Sequence, residues 1–323
     1  MNATWGEYMM KLRVLASILA ISCSFAANTV ATSAYAAESG ALPYQPGSSG
    51  DFIGVLPYIP GLFMQENLSY SNSYALVGDD GKTIPGSDLD LNVTTSTSRF
   101  LFSWGSIGDL HLYSQIIVPV VHGDTTVKFG GFTAADGSKT GFGNIFFGPI
   151  IGKYDFDEYN SITFGYDYAS KLGNYSATDA FSPAVGYASH QPTFGFTHAG
   201  KDGFYFAALA RGIFNETNDT THYRTGNAIN VDFRSGWQSG NWRAGVVGGF
   251  YDQFQSDSGD GAVNGKTRLL SIGPSISYDF GGPILNFNFR TTPIARNTTK
   301  SNSFWVSLAV PLWMPKPPSE ADR

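Results

Sequence analysis

Five histidines are the first residues to test for chemistry: His111, His122, His190, His198 and His222. Metal-binding histidines recur at short, fixed spacings that point several ring nitrogens at one centre. These five are scattered over predicted strands and loops without such spacing, so no metal site is expected. No phosphate-binding loop, dinucleotide-binding glycine pattern or Gly-x-Ser-x-Gly elbow occurs, and no cofactor is expected. The single cysteine, Cys23, lies in an N-terminal apolar segment, which leaves the mature chain without thiols for zinc or disulfides. His198 with a nearby serine could form part of a lipid-cleaving site. Such a site also needs an orienting acid or amide, and nothing in the sequence marks one. Ser96 and Ser98 read instead as hydroxyls facing a lumen. Asp79, Asp80, Asp88, Asp257 and Asp260 gather in predicted outer loops. Divalent cations take carboxylate and carbonyl oxygens, so an outer-loop cation site stands beside the plainer reading of solvated loop charges.

The elements that position these residues follow from composition and pattern. Of 323 residues, 14% are charged and 42% hydrophobic, with 38 Gly, 17 Tyr and 25 Phe. Soluble proteins carry about 25% charged residues. Glycine suits turns, and aromatics suit pleated, half-buried surfaces. The net charge of −6 argues against nucleic acid, which requires a basic face.

The N-terminus has the three parts of an export signal. Lys11 and Arg13 supply positive charge, Val14 to Ala27 is apolar, and Ala34-Tyr35-Ala36 is a small-x-small cleavage site. Cleavage is expected before Ala37 or Glu38. The rival is a lipoprotein signal acylated at Cys23, although Ala20 stands where leucine is expected. The apolar run is shorter than the roughly 20 residues of a helical span, and no other run approaches that length. Membrane crossing therefore falls to strands. The expected organisation is a signal peptide at 1–36, a periplasmic segment at 37–60, a transmembrane barrel at 61–313 and a polar tail at 314–323.

Alternation of apolar and polar residues is the main structural signal. Ile229, Val231, Phe233 and Trp237 share one face, and Asn230, Asp232, Arg234 and Gln238 the other. Leu285, Phe287 and Phe289 alternate with Asn286, Asn288 and Arg290. Phe304, Val306, Leu308, Val310 and Leu312 point one way. Counting similar stretches predicts an all-β, antiparallel barrel of about twelve strands. In Asp88–Trp104 the apolar phase changes from Leu89, Leu91 and Val93 to Phe100, Phe102 and Trp104, and a bulge near Thr97 would restore the register.

Connections alternate between short and long. Gly105–Gly108, Asp155–Glu158, Gly200–Asp202, Ser239-Gly240 and Gly281-Gly282 are short. Gly78–Ser87, His122–Gly141, Gly173–His190, Glu216–Arg224 and Gln255–Gly265 are long, and Asn297–Thr299 is the shortened last member. Short periplasmic turns opposite longer outer loops are the pattern of outer-membrane barrels. Trp104, Tyr154, Phe156, Tyr159, Trp237, Trp242, Tyr278, Phe280 and Trp313 cluster beside the short turns, where an aromatic girdle meets the lipid interface. Ordinary core aromatics at strand ends are the alternative.

With the apolar face towards lipid, the lumen should be lined by Gln65, Asn67, His111, Gln115, Asp167, Lys171, Arg211, Asp232, Arg234, Arg243, Arg268, Asp279 and Arg290. A lipid-facing Arg or Lys at mid-membrane costs about 2–4 kcal/mol, which drives these charges inward. Arg234, Arg243, Arg268 and Arg290 would form a positive wall on adjacent strands, favouring neutral or anionic organics over cations. Mutual neutralisation by inward carboxylates is the competing expectation.

The block Gly141-Phe142-Gly143-Asn144-Ile145-Phe146-Phe147-Gly148-Pro149 resembles one that recurs in an outer-membrane family named for the meta-cleavage pathway of phenol degradation. The resemblance extends from about Leu56 to Trp313, including Leu56-Pro57 and Val310-Pro311-Leu312. Members usually end near their last strand, whereas this chain continues to Arg323. The stretch before the predicted sixth strand matches loosely, as Asn174-Tyr175 and Phe181-Ser182-Pro183. What the resemblance implies is an outer-membrane channel, partnered by lipid and by small aromatic or other hydrophobic solutes. A non-conducting structural or adhesion barrel is the second reading, and a lipid-modifying enzyme the third.

Overall fold

The computed structural model describes residues 37–262 and 265–315. The expected signal peptide with Cys23, and the tail beyond Pro315, lie outside the described residues. The strands are β1 (Gly61–Val77), β2 (Ser87–Ile107), β3 (Leu110–Phe129), β4 (Phe132–Phe142), β5 (Phe146–Asp155), β6 (Asn160–Ala169), β7 (Ser189–Ala199), β8 (Phe204–Asn215), β9 (Tyr223–Arg224), β10 (Ala228–Ser239), β11 (Trp242–Gln253), β12 (Ser258–Gly259), β13 (Arg268–Asp279), β14 (Ile284–Arg296) and β15 (Thr298–Trp313). Neighbours pair antiparallel around a sheet that closes on itself, with β1 joining both β2 and β15. Strands β4 and β5 occupy one wall position, because β3 pairs with β4 along its far half and with β5 along its near half. Strands β9 and β12 pair only with each other, as a small ribbon in the outer loops. The wall therefore has twelve strand positions. Closure pairs both edges of the wall strands, as hydrocarbon demands, except at β4, which pairs with β3 alone.

The two-residue period sorts the side chains. Along β10, Asn230, Asp232 and Arg234 are buried while Ile229 is 40% exposed. Along β14, Asn286, Asn288 and Arg290 are buried while Phe287 and Phe289 face out. This inversion of a soluble protein's pattern gives the barrel a polar interior and an apolar outer band.

Four expectations change. First, His122–Gly141 is not a loop. It continues β3 into β4 as a hairpin turning at Gly130-Gly131, and His122 Nδ1 lies 2.7 Å from Thr140 Oγ1 on it. Second, β2 has no bulge near Thr97. Its register with β1 runs unbroken from Leu91 to Ser103, and the irregularity against β3 falls between Ser103 and Gly105. The odd-numbered residues consequently stay inward, and the apolar Leu89 and Leu91 belong to the interior face. Third, Ser96 and Ser98 take the opposite face. Their hydroxyls donate to Glu66 Oε1 and Oε2 at 2.6 and 2.5 Å, and Glu66 lies between the outward Met64 and Leu68. Fourth, the segment 37–60 runs inside the barrel, with its polar groups matched by the lumen wall.

The Gly-rich block has a structural meaning. At Gly143–Ile145 the wall changes from β4 to β5, and Asn144 takes over the broken ladder. Its Nδ2 donates to Ser170 O and Tyr187 O at 2.6 and 3.0 Å, while its Oδ1 accepts from Val185 N at 2.9 Å. Asn144 thus ties the interrupted strand to the loop between β6 and β7. Pro149, which has no N–H, sits where the register slips against both β3 and β6. A Cβ on Gly148 would come within 2.5 Å of Asp167 Oδ1, so only glycine lets that carboxylate lie across the strand.

Candidate functional site

The interior divides into an occupied half and an open half. In the occupied half, two carboxylates hold the inner segment. Asp232 on β10 accepts from Gly47 N at 2.7 Å, Tyr44 Oη at 2.6 Å and Ser49 N at 3.2 Å. Asp51 on the segment itself meets the wall: Arg243 Nη2 lies 3.0 Å from its Oδ2, Arg234 Nη1 3.4 Å from its Oδ1, and Ser277 Oγ donates at 2.5 Å. Arg290 lies 4.5 Å from the Trp305 ring centroid and donates to Asn288 Oδ1 at 2.7 Å. Close approach depends on Gly249, where an added Cβ would stand 2.1 Å from Gly47 N. Towards the short turns, Tyr113 Oη donates to Pro57 O at 2.9 Å, and Lys153 bonds the Tyr58 hydroxyl.

The open half is a cavity of about 470 Å³ between the segment and the wall, bordered by β1, β2, β3 and β5 and reaching residues of β6–β8 and β13–β15. Its lining mixes Phe52, Ile53, Leu56, Ile117, Phe146 and Leu209 with Gln65, Asn67, Thr95, Thr97, Arg99 and Gln115. An amide relay crosses it: Arg99 Nε donates to Gln115 Oε1 at 2.7 Å, and Gln115 Nε2 donates to Asp167 Oδ1 at 2.6 Å. The other Asp167 oxygen accepts from Arg211 Nη1 at 2.8 Å.

Gln65, Asn67, Gln115, Asp167 and Arg211 thus sit on the cavity wall, while Asp232, Arg234, Arg243 and Arg290 sit against the inner segment. His111 is inward near the short-turn end, 3.1 Å from Asp155. Three of the expected residues do not line the lumen at depth. Lys171 lies past the end of β6 and pairs with Asp219 in the outer loops, which raises its pKa and lowers that of Asp219. Arg268 faces outward at the loop end and pairs with Asp252 at 2.7 Å; the buried Leu269 takes the inward place. Asp279 accepts from Gly281 N at 2.8 Å and so serves the β13–β14 turn. The four-arginine wall is therefore not an open wall: Arg234 and Arg243 share the Asp51 carboxylate, and Arg268 is elsewhere.

Sequence reasoning missed Arg99 and Asp51. Arg99 was hidden by the misread phase of β2. Cross-strand pairing carried the signal, since Gln65 and Asn67 face inward and oppose Arg99 and Thr97. Nothing in a short Gly-Ser-rich stretch marks Asp51 as an interior anchor.

Trp104, Tyr154, Tyr159, Trp237, Trp242, Tyr278, Phe280 and Trp313 lie around the short-turn end, and Phe156 with them. Trp242, Tyr278 and Phe280 stack edge to face in a row, with centroids 4.7 Å apart at each step. The outer acids do not converge. Asp79 binds Arg296 and Asn297, Asp80 lies near Lys82, and Asp260 near His222. Asp257 is buried and accepts from four donors. His198 Nδ1 lies 2.9 Å from Asn160 Oδ1, and His190 lies beside Tyr166 and Glu216. Among the described residues, no group of three or more His, Cys, Asp or Glu could hold a metal ion.

A closed twelve-position antiparallel barrel with a polar interior and an apolar exterior is a transmembrane barrel of the bacterial outer-membrane class. Residues 75–308 match the family described as "Putative MetA-pathway of phenol degradation". The chain belongs to that family. The COG4313 outer membrane channel from Pseudomonas putida F1 is similar in structure, with a TM-score of 0.71 at 14% identity, covering 81% of this chain and 98% of that one. A FadL homologue from Pseudomonas aeruginosa aligns with a TM-score of 0.45 at 9% identity, over 87% and 98% of the two chains. The CymD monoaromatic hydrocarbon channel aligns with a TM-score of 0.43 at 9% identity, over 78% and 88%. The last two are too distant to bear on cargo. Comparison with curated protein sequences gave no match.

Proposed function

We propose that the protein is a passive outer-membrane channel for small organic molecules with substantial apolar surface, aromatic compounds among them. The observation that carries this reading is the cavity in the open half. Its volume falls within the roughly 300–1,000 Å³ of small-molecule sites, and its walls combine aromatic and aliphatic surface with a few fixed polar groups. A pore for hydrated ions would be lined by water-facing charge throughout. Here most interior charge is spent on holding the segment, which narrows the passage and leaves a mixed surface beside it. Family membership and the likeness to an outer membrane channel support the same reading. The paired charges of the occupied half favour a second one, a sealed structural barrel.

Initial uptake of radiolabelled naphthalene by cells with an intact outer membrane separates the two. Cells carrying the protein should accumulate naphthalene several-fold faster than the same host without it. A sealed barrel predicts equal rates.

A further inference from the structure

We infer that the cavity contains a carboxylate-binding subsite at Arg99, so that organic acids with an apolar body are among its ligands. This rests on the channel reading above and names a substrate class for it. Two cations lie on the cavity wall, Arg99 and Arg211. Asp167 neutralises only Arg211, at 2.8 Å. Arg99 has no carboxylate within ion-pairing distance among the described residues. Its Nε donates to Gln115 and its Nη1 to Gln65 at 3.3 Å, both neutral amides that fix the guanidinium in place. Its Nη2 makes no bond to the described residues, and the side chain borders the cavity. A positioned guanidinium with spare donors is built for bidentate capture of a planar carboxylate. Phe52, Leu56, Ile117 and Phe146 on the same cavity's wall supply the apolar surface for the remainder of such a ligand. The relay through Gln115 to Asp167 keeps the amide oxygen towards Arg99, so the site is set before the ligand arrives.

Equilibrium dialysis of the detergent-solubilised barrel with radiolabelled benzoate, benzamide and toluene tests this. Benzoate should bind at least about tenfold tighter than its neutral isostere benzamide, as a charge-assisted bond implies. Arg99→Gln should remove that preference in a barrel that still migrates as folded on a heat-modifiability gel, and Arg99→Lys should keep part of it. Equal binding of benzoate and benzamide by the native protein overturns the subsite, whatever the variants do. Toluene binding without benzoate binding overturns the subsite alone; binding of neither overturns the channel reading with it.

A separate set of observations assigns a partner to Asp257. This carboxylate is buried, lies in the outer loops between β11 and β13, and has no Lys, Arg or His among the described residues within ion-pairing distance. It accepts from Tyr223 Oη, Gly226 N, Gln253 Nε2 and, at 2.7 Å, Ala37 N. Ala37 is itself buried and has a φ of 78°, uncommon for a residue with a Cβ. Ala37 is also the residue that follows the small-x-small site. Cleavage there abolishes that φ and turns the amide into an ammonium, which supplies the cation the buried carboxylate lacks. The mature N-terminus is thus an ion pair with Asp257, made only by processing.

Mass spectrometry of the protein from outer membranes should give Ala37 as the first residue. Its amine should resist acylation at pH 7 in the folded barrel and react after heat unfolding, and in Asp257→Asn it should react without unfolding. A different first residue, or an equally reactive amine in the folded and unfolded native protein, overturns the pairing.

Discussion

The wall of β10, β11, β13 and β14 and the wall of β1, β2, β3 and β5 face each other across one lumen, and they use polar residues differently. On the first, Asp232, Arg234, Arg243 and Ser277 are matched to groups of the inner segment, so each is desolvated and paired. On the second, Gln65, Thr97, Arg99 and Gln115 bond sparingly among themselves and border open space. Inward polarity in a barrel therefore has two uses, anchoring a filler and contacting a solute. Alternation identifies the inward face without telling them apart.

The largest effect that would break this contrast comes from the anchors. Asp51→Ala leaves Arg234 and Arg243 buried and unpaired, and Asp232→Ala removes the acceptor for Tyr44, Gly47 and Ser49. Losing one partner of a buried pair costs about 3–5 kcal/mol. The double variant should raise hydrogen exchange of residues 44–52 at least a hundredfold and increase single-channel conductance. Exchange as slow as in the native protein would show that apolar contacts alone seat the segment.

Next in size is the test of facing. Phe233→Arg puts a cation on the lipid side at about 2–4 kcal/mol and should prevent assembly. Arg234→Ala should leave a folded barrel, because Arg243 and Ser277 still hold Asp51. Heat-modifiable gel migration reads both; equal folding of the two would reverse the assignment of faces.

A smaller effect is expected at the strand break. Asn144→Leu removes three hydrogen bonds that tie the wall to the β6–β7 loop, at about 1–3 kcal/mol for each buried group left unsatisfied. The barrel should persist while protease cuts within residues 173–188 appear at native temperature. Unchanged resistance would place the loop's support elsewhere.

These predictions also mark what was legible in the sequence. Strand positions, closure and the short-turn aromatic rim follow from a period of two and from turn spacing, both local signals. The interior residues of β10 and β14 were legible for the same reason. Arg268 was misplaced because its charge was taken to mark the inward face, although Leu269, Ser275 and Ser277 hold the inward phase of β13 without a break and the extra residue at its register shift lies on β14, between Thr291 and Ile294. The β2 residues were misplaced because alternation alone cannot tell which face is inward where both carry apolar residues, and Leu89 is buried inside the barrel. The inner segment was illegible because its fit depends on partners about 180 residues away, such as Asp232 for Gly47.

The smallest expected effect is a pH response confined to the outer loops. Lys171 lowers the Asp219 pKa by hydrogen bonding and charge, and Arg296 lowers that of Asp79 chiefly through its hydrogen bond. A depressed carboxylate contributes stability above its ordinary pKa and loses it as pH falls through the lowered value. These ties should hold from pH 7 to about pH 4 and release only in stronger acid. Limited proteolysis across that range checks the sign, with cleavage near 216–222 or 78–86 at mildly acid pH as the contrary result.

The central claim, that solute passes along the β1–β3 side beside a seated segment, is tested most directly by filling that side. Thr97 lines the cavity opposite the inward Asn67, so Thr97→Trp should leave a heat-modifiable, folded barrel while reducing naphthalene uptake to the rate of cells without the protein. Native-rate uptake through a folded Thr97→Trp barrel would contradict the account.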